Sequence, residues 1–191
     1  MARVSIIGTG NMGQAIAAVV SKGGNSVELI GSSDADKQVT GDVVVLAVPY
    51  PAVADVLATR GESLAGKVVV DITNPLDFAT FDSLTVPADS SAAAGIAAAL
   101  PQSRVLKAFN TNFAGTLAAG AIGSLPTTVL IAGDDADAKA LLAGIVTAGG
   151  LRAVDAGSLR RARELEALGF LQLTLAASGK TSWAGGFALV G

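Results

Sequence analysis

The stretch Arg3-Val4-Ser5-Ile6-Ile7-Gly8-Thr9-Gly10-Asn11-Met12-Gly13-Gln14-Ala15-Ile16-Ala17 decides the fold. Apolar β-formers run to Ile7, a G-x-G-x-x-G turn occupies Gly8–Gly13, and a helical segment follows. In a strand–turn–helix each glycine has a mechanical task. Gly8 permits the tight turn, Gly10 lets backbone approach a pyrophosphate, and Gly13 lets the helix pack close to the strand. The helix N-terminus offers unpaired N–H groups and a positive dipole end to the phosphates. Among 23 glycines such a pattern alone would be weak. Placed directly between an apolar strand and a helix, it reads as a dinucleotide site contacted by Gly8, Thr9, Gly10, Asn11, Met12 and Gly13.

Outward from this turn, apolar runs alternate with Ala-rich segments. The pattern predicts strands at Val4–Ile7, Val27–Ile30, Val43–Val48, Val68–Ile72, Val105–Phe109, Thr128–Ala132 and, more weakly, Leu151–Val154. Most runs are continuously apolar, as parallel strands buried on both faces require. Helices are expected at Met12–Lys22, Ala52–Thr59, Ser91–Leu100, Ala136–Ala148 and Leu159–Ser178. The expected fold class is therefore α/β, a Rossmann-type doubly wound, mostly parallel sheet with a short C-terminal helical extension. Residues 1–155 form the nucleotide-binding domain, and 156–191 a helix and tail serving an acceptor pocket, a dimer contact, or both. Between Ile30 and Val43 the chain has room for a helix of a turn or two at most. This pared-down crossover should leave the adenine end of a cofactor more exposed.

Composition narrows the chemistry. The chain has 191 residues, 51% hydrophobic and only 15% charged, with net charge −3 and a pI near 4.8. That balance argues against nucleic acid, which needs clustered Lys and Arg. There is no Cys and no His, which removes thiolate chemistry, zinc–thiolate sites and the commonest general base. No apolar stretch is long enough to span a membrane, and no signal segment precedes the first strand. A cytoplasmic, metal-free protein is the expectation.

Strand ends carry the remaining signal, because ligands of open α/β sheets bind outside the carboxyl ends. The usual acidic residue after the second strand, a ligand of the ribose 2′-hydroxyl, is replaced by Gly31 and followed by Ser32 and Ser33, with Lys37 near. Small donors and a cation suit a 2′-phosphate, so NADP is favoured over NAD, although Asp34 and Asp36 could point inward. Further along, Ala47-Val48-Pro49-Tyr50, Thr73-Asn74-Pro75 and Asn110-Thr111 end the third, fourth and fifth strands. Separately these are ordinary turns and helix starts; together they line one crevice. None is a convincing proton shuttle. Hydride transfer between planar rings needs proximity and orientation above all, so a flavin-like acceptor fits better than a ketone, with Asn74 and Asn110 orienting it. A non-catalytic module sensing NADP for a protein partner is the alternative.

The runs I-I-G-T-G-N-M-G-Q-A-I-A, I-G-S-S, A-V-P-Y, D-I-T-N-P-L, K-A-F-N-T and D-A-G-S-L-R-R-A-R-E-L-E resemble the NADP-dependent coenzyme F420 reductases. They are most similar to the short bacterial dinucleotide-binding branch of that family. The resemblance implies NADPH lying across the sheet edge and a hydride passed to a deazaflavin. It assigns Ser32 to the 2′-phosphate, whereas Ser33 stands where the family carries Arg. Asn110 lies in the motif where archaeal members carry His, so a flavin is a second candidate acceptor. The opening motif also looks like that of pyrroline-5-carboxylate reductases, but residues 155–191 are too few for their helical C-terminal domain.

In that segment Ser158 is expected to cap a helix with apolar positions at Leu159, Ala162, Leu165, Leu168 and Leu175. Arg160 and Glu164 stand at i,i+4 spacing, and Arg161 or Arg163 are candidates for an acidic tail on the acceptor. The apolar, aromatic tail Trp183–Val190 should cover the acceptor pocket or a second subunit, with a homodimer preferred.

Overall fold

The computed structural model describes residues 1–34 and 36–190. Ala35, inside the short second crossover, and Gly191, at the end of the C-terminal segment, lie outside the described residues.

Seven strands form one sheet. In chain order the elements begin β1 (Arg3–Ile7), α1 (Asn11–Lys22), β2 (Ser26–Ile30), β3 (Val43–Leu46), α2 (Val53–Arg60) and β4 (Val68–Asp71). They continue with α3 (Ala92–Ala99), β5 (Arg104–Lys107), α4 (Ala114–Ala119), β6 (Ala121–Ile122), β7 (Leu125–Pro126) and β8 (Thr128–Gly133). Last come α5 (Ala136–Ala148), β9 (Arg152–Gly157) and α6 (Ala162–Ala177). The sheet order is β2-β1-β3-β4-β5-β8-β9. The central strands β3 and β4, apolar but for Asp71, are buried on both faces, while the edge strands β2 and β9 are partly exposed. Every pairing is parallel except β5 with β8.

The order turns back on itself between β1 and β3, which opens a crevice over the glycine turn. Alternate residues of one strand serve the two faces. Val43 and Val45 join the core with Ile16, Val20 and Leu142. Val44 and Leu46 join the core with Val53, Leu64 and Ile96. A doubly wound α/β sheet is what the apolar runs require, and it is what forms.

Several expectations need correction. The strands predicted to reach Val48, Ile72 and Phe109 end at Leu46, Asp71 and Lys107. Phe109 has a φ of +61°, a left-handed value that removes it from a strand. The sequence reading gave no element to α4 or to the β6–β7 hairpin. The C-terminal helix is broken into a 3-10 turn, Leu159–Arg161, and α6. Ser158 precedes that turn without a capping hydrogen bond from its side chain. Glu164 pairs with Arg161 at 3.6 Å and Arg163 at 2.9 Å in place of Arg160.

The second crossover contains no regular helix among its described residues; side chains hold it. Glu28 on β2 accepts from the Ser5 hydroxyl at 2.5 Å, the Thr40 hydroxyl at 2.9 Å and the Thr40 N–H at 3.0 Å. Ser5, fully buried, in turn accepts from the Gly41 N–H at 2.8 Å. A Cβ on Gly41 would lie 2.4 Å from Ser5 N, so only glycine permits this approach. Burial alone would raise the Glu28 carboxyl, but the Ser5 and Thr40 hydrogen bonds outweigh it and hold its pKa below the usual range.

Candidate functional site

The glycine turn is built by backbone. Gly8 has a φ of +117°, and its N–H donates to Ile30 O at 2.9 Å. A Cβ there would stand 2.1 Å from Ala47 O, and one on Gly13 would stand 2.2 Å from Gly8 O. A Cβ on Gly10 would meet nothing within 4 Å. The protein's own packing therefore demands glycine at 8 and 13, whereas at 10 the space is open for a ligand. Gly10 is also the N-cap of α1, with no side-chain cap and no acid in the first turn. By contrast, Ser91 and Asp135 cap α3 and α5. A pyrophosphate fits here: the N–H groups at Gly10–Met12 would hold it, and Thr9, Gly10 and Asn11 are exposed.

At the end of β2, Ser32 and Ser33 are exposed. Lys37 extends its ammonium to Leu29 O at 2.8 Å. Pro49 begins a 3-10 turn, Tyr50–Ala52, that leads into α2. Ala47, Val48 and Tyr50 are half-buried beside the glycine turn.

The carboxyl ends of β4 and β5 are built by side chains. Lys107, fully buried, meets Asp71 Oδ2 at 2.8 Å, Glu166 Oε1 at 2.8 Å and Thr73 O at 2.6 Å. Glu166 comes from α6 and also accepts from the first N–H groups of α3, at Ala92 (2.9 Å) and Ala93 (3.3 Å). A buried charge needs such partners. The Lys107 ammonium is fully engaged, and this rules it out as a proton donor to a bound substrate.

One turn further, Asn110 donates to Asn74 Oδ1 at 3.0 Å and to Leu165 O at 2.8 Å. Asn74 donates to Asn110 O at 2.8 Å. A Cβ on Gly169 would lie 2.3 Å from Asn74 Oδ1, so α6 docks on this pair through a glycine. Gln172 donates to Thr111 O at 3.1 Å and accepts from the Phe187 N–H at 3.2 Å, strapping the tail to α6.

A cleft of about 570 Å³ opens above these groups, bounded by Asn11, Met12, Ile72, Asn74, Phe109, Asn110, Asn112, Phe113, Leu173 and Trp183, with Ala114, Gly115 and Ala184 at its edge. Trp183 stands 5.0 Å from the Phe113 ring. The cleft has apolar walls, four asparagines and no titratable side chain. Thr73 Oγ1, Asn110 Oδ1 and Asn112 Oδ1 are buried beside it with no hydrogen-bond partner. Such atoms are uncommon, and their gathering at these two strand ends is what a ligand site would leave.

The structure thus brings Asn11, Met12, Asn74 and Asn110 to one cleft. Pro49, Tyr50, Ser32, Ser33 and Lys37 lie outside its walls. Sequence reasoning missed Asp71, Glu166, Gly169 and Gln172. Two opposite charges ending otherwise apolar strands, Asp71 and Lys107, were the available signal. Among the described residues no group of acidic side chains is arranged to hold a metal, and no helix is long and apolar enough to cross a membrane.

Glycine turn, switch point and a mostly apolar cleft without acids or bases define a dinucleotide-binding oxidoreductase core. Comparison with known proteins gives the family. Residues 32–75 match the family described as NADP oxidoreductase coenzyme F420-dependent. The F420-dependent NADP reductase of Methanocaldococcus jannaschii is 30% identical over 154 residues, covering 78% of this chain and 69% of that protein. The F420-dependent NADP reductase of Methanothermobacter marburgensis is 30% identical, covering 88% and 89%. A crystal structure from Arthrobacter sp. FB24, assigned to F420-dependent NADP reduction, superposes with a TM-score of 0.83 at 25% identity, covering 95% and 96%. The chain belongs to the F420-dependent NADP reductase family. It is an NADP-dependent oxidoreductase.

Proposed function

We propose that this protein passes hydride between NADPH and a flat fused-ring acceptor, a deazaflavin or a flavin, inside the cleft roofed by Trp183. The observation that carries this reading is the lining of the cleft, mostly apolar and free of titratable groups. Reduction of an ordinary ketone wants a proton donor at the carbonyl oxygen. Tyr50 lies outside the cleft lining, and Lys107 is buried in ion pairs. Ring-to-ring transfer wants alignment and exclusion of water.

NADPH, when bound, supplies the hydride. The residues around it orient and shield. Gly8, Thr9, Gly10, Asn11, Met12 and Gly13 hold the pyrophosphate. Ser32, Ser33 and Lys37 border the adenosine end, and Ala47, Val48, Pro49, Tyr50, Thr73, Asn74 and Pro75 flank the nicotinamide ribose. Asn74 and Asn110, locked together and to α6, orient the reacting rings. Residues 1–155 carry the nucleotide, and residues 156–191 complete the acceptor pocket.

The test is NADPH consumption, followed by its near-ultraviolet absorbance, with deazaflavin, FMN and FAD supplied in turn. Loss that depends on one of these rings is expected; none with any of them would end the proposal. The names of the archaeal relatives support the deazaflavin first.

The exposed Leu171, Phe187, Leu189 and Val190 support a homodimer through α6 and the tail. Equilibrium sedimentation at micromolar concentration should give twice the chain mass, and a monomer there removes the idea.

A further inference from the structure

The corner where the adenosine ribose would lie contains a carboxylate that the strand-end pattern conceals. Gly31 occupies the position that normally carries an acid after the second strand. Three residues later Asp34 folds back: its Oδ2 accepts from the Gly31 N–H at 2.8 Å, and its own N–H donates to Gly31 O at 3.2 Å. A Cβ built on Gly31 would lie 3.5 Å from Asp34 Oδ2 and 3.5 Å from Thr9 Cγ2. The carboxylate is therefore pinned to the backbone at the carboxyl end of β2, the strand end at which a ribose 2′-hydroxyl is read.

The basic groups nearby are turned to other tasks. Because β2 is the edge of the sheet, Leu29 O is satisfied by the Lys37 ammonium at 2.8 Å. The Arg60 guanidinium donates to Lys37 O at 2.7 Å and Asp34 O at 2.5 Å. Glu28 draws on Lys37 as well. A 2′-phosphate entering here meets the hydroxyls of Ser32 and Ser33, but also a carboxylate of its own sign.

We propose that Asp34 is a specificity-determining residue that accepts the ribose 2′-hydroxyl, so that NADH is bound alongside NADPH with a narrow preference between them. This rests on the dinucleotide site of the proposed function and concerns only how its adenosine end is read. A hydroxyl donates to the carboxylate, whereas a phosphate dianion is repelled by it. At a half-exposed position the repulsion is on the order of tenfold in affinity.

The experiment is a fluorescence titration of NADPH and NADH against the parent and Asp34→Asn. Asparagine keeps an oxygen for the Gly31 N–H and removes the charge. The parent should bind the two within about tenfold of each other. In the variant NADPH should tighten by about tenfold, while NADH holds or weakens. Equal shifts of both nucleotides, or a parent preference for NADPH beyond about a hundredfold, would overturn the assignment. Should the variant fail to melt like the parent, competition on the parent alone decides. ADP and 2′,5′-ADP should then displace NADPH with similar strength, and a large advantage for the latter refutes Asp34. Absence of binding by any pyridine nucleotide would instead bring down the proposed function itself, and this inference with it.

Discussion

The two halves of the site are made in opposite ways. At the glycine turn the working groups are backbone amides, positioned by neighbours in sequence, and side chains matter mainly by their absence at Gly8, Gly10 and Gly13. At the ends of β4 and β5 the working groups are side-chain amides held by residues far away along the chain. Asn110 rests on Leu165 O and Asn74, and beneath them Lys107 is held between Asp71 and Glu166. The first half tolerates surface change but no methyl group added at Gly8 or Gly13. The second tolerates little loss of charge balance, since a buried ion without its partner is costly.

The largest effect should come from breaking the charge cluster. Lys107→Met leaves Asp71 and Glu166 facing each other in the interior and should cost about 3–5 kcal/mol in urea unfolding. A loss under about 1 kcal/mol would mean that the cluster does not lock α6 to the sheet. Next come two substitutions in the glycine turn that ought to part company. Gly13→Ala presses a methyl group on Gly8 O and should destabilise the fold by about 1–3 kcal/mol. Gly10→Ala meets no protein atom, so its melting curve should match the parent's within about 0.5 kcal/mol. Its NADPH affinity should nevertheless fall at least about tenfold by fluorescence titration. Were both properties of Gly10→Ala unchanged, the open space at Gly10 would not be the pyrophosphate seat.

A smaller effect is expected at the roof. Trp183→Ala should raise the KM for the ring acceptor about fivefold while NADPH affinity stays constant, since one exposed aromatic contact carries about 1 kcal/mol. Steady-state kinetics with the acceptor varied would expose an unchanged KM.

The smallest effect concerns acid. The folded Glu28 carboxyl titrates below its usual value, so the stability it contributes is present above its unfolded pKa and is lost as pH falls through the lowered folded value. Glu28→Gln should therefore show a flatter stability profile than the parent below about pH 4.5, the ordinary glutamate value. Parallel profiles in denaturant titrations would remove Glu28 as the tie of the second crossover.

Much of the fold was legible because it is local. Continuous apolar runs such as Val43–Leu46 and Val68–Val70 require cover on both faces, and the glycine turn lies within one strand–helix unit. The α5 span was readable to the residue; its cap, Asp135, was identified only in the structure. The nucleotide half of the candidate site was legible for the same reason. The acceptor half was not. The apolar stripe assigned to the last helix assumed that its inner face is greasy, yet Glu166, Gly169 and Gln172 are buried there with Ala162, Leu165 and Ala176. Their partners, Lys107, Asn110 and Thr111, are roughly sixty residues away, and no spacing rule connects them. Asp34 illustrates the same limit at short range. The sequence leaves open whether it points inward, and the folded backbone decides it by bringing the carboxylate onto the Gly31 N–H.

By itself, the amino-acid order determined the doubly wound sheet and the seat for a dinucleotide, because strand burial and a glycine turn depend on neighbours along the chain. The tertiary structure alone decided which polar residues face inward, which charges neutralise one another, and where α6 and the tail close the cleft. Those outcomes depend on desolvation, and a side chain's access to water is set by segments that meet only when the chain is folded.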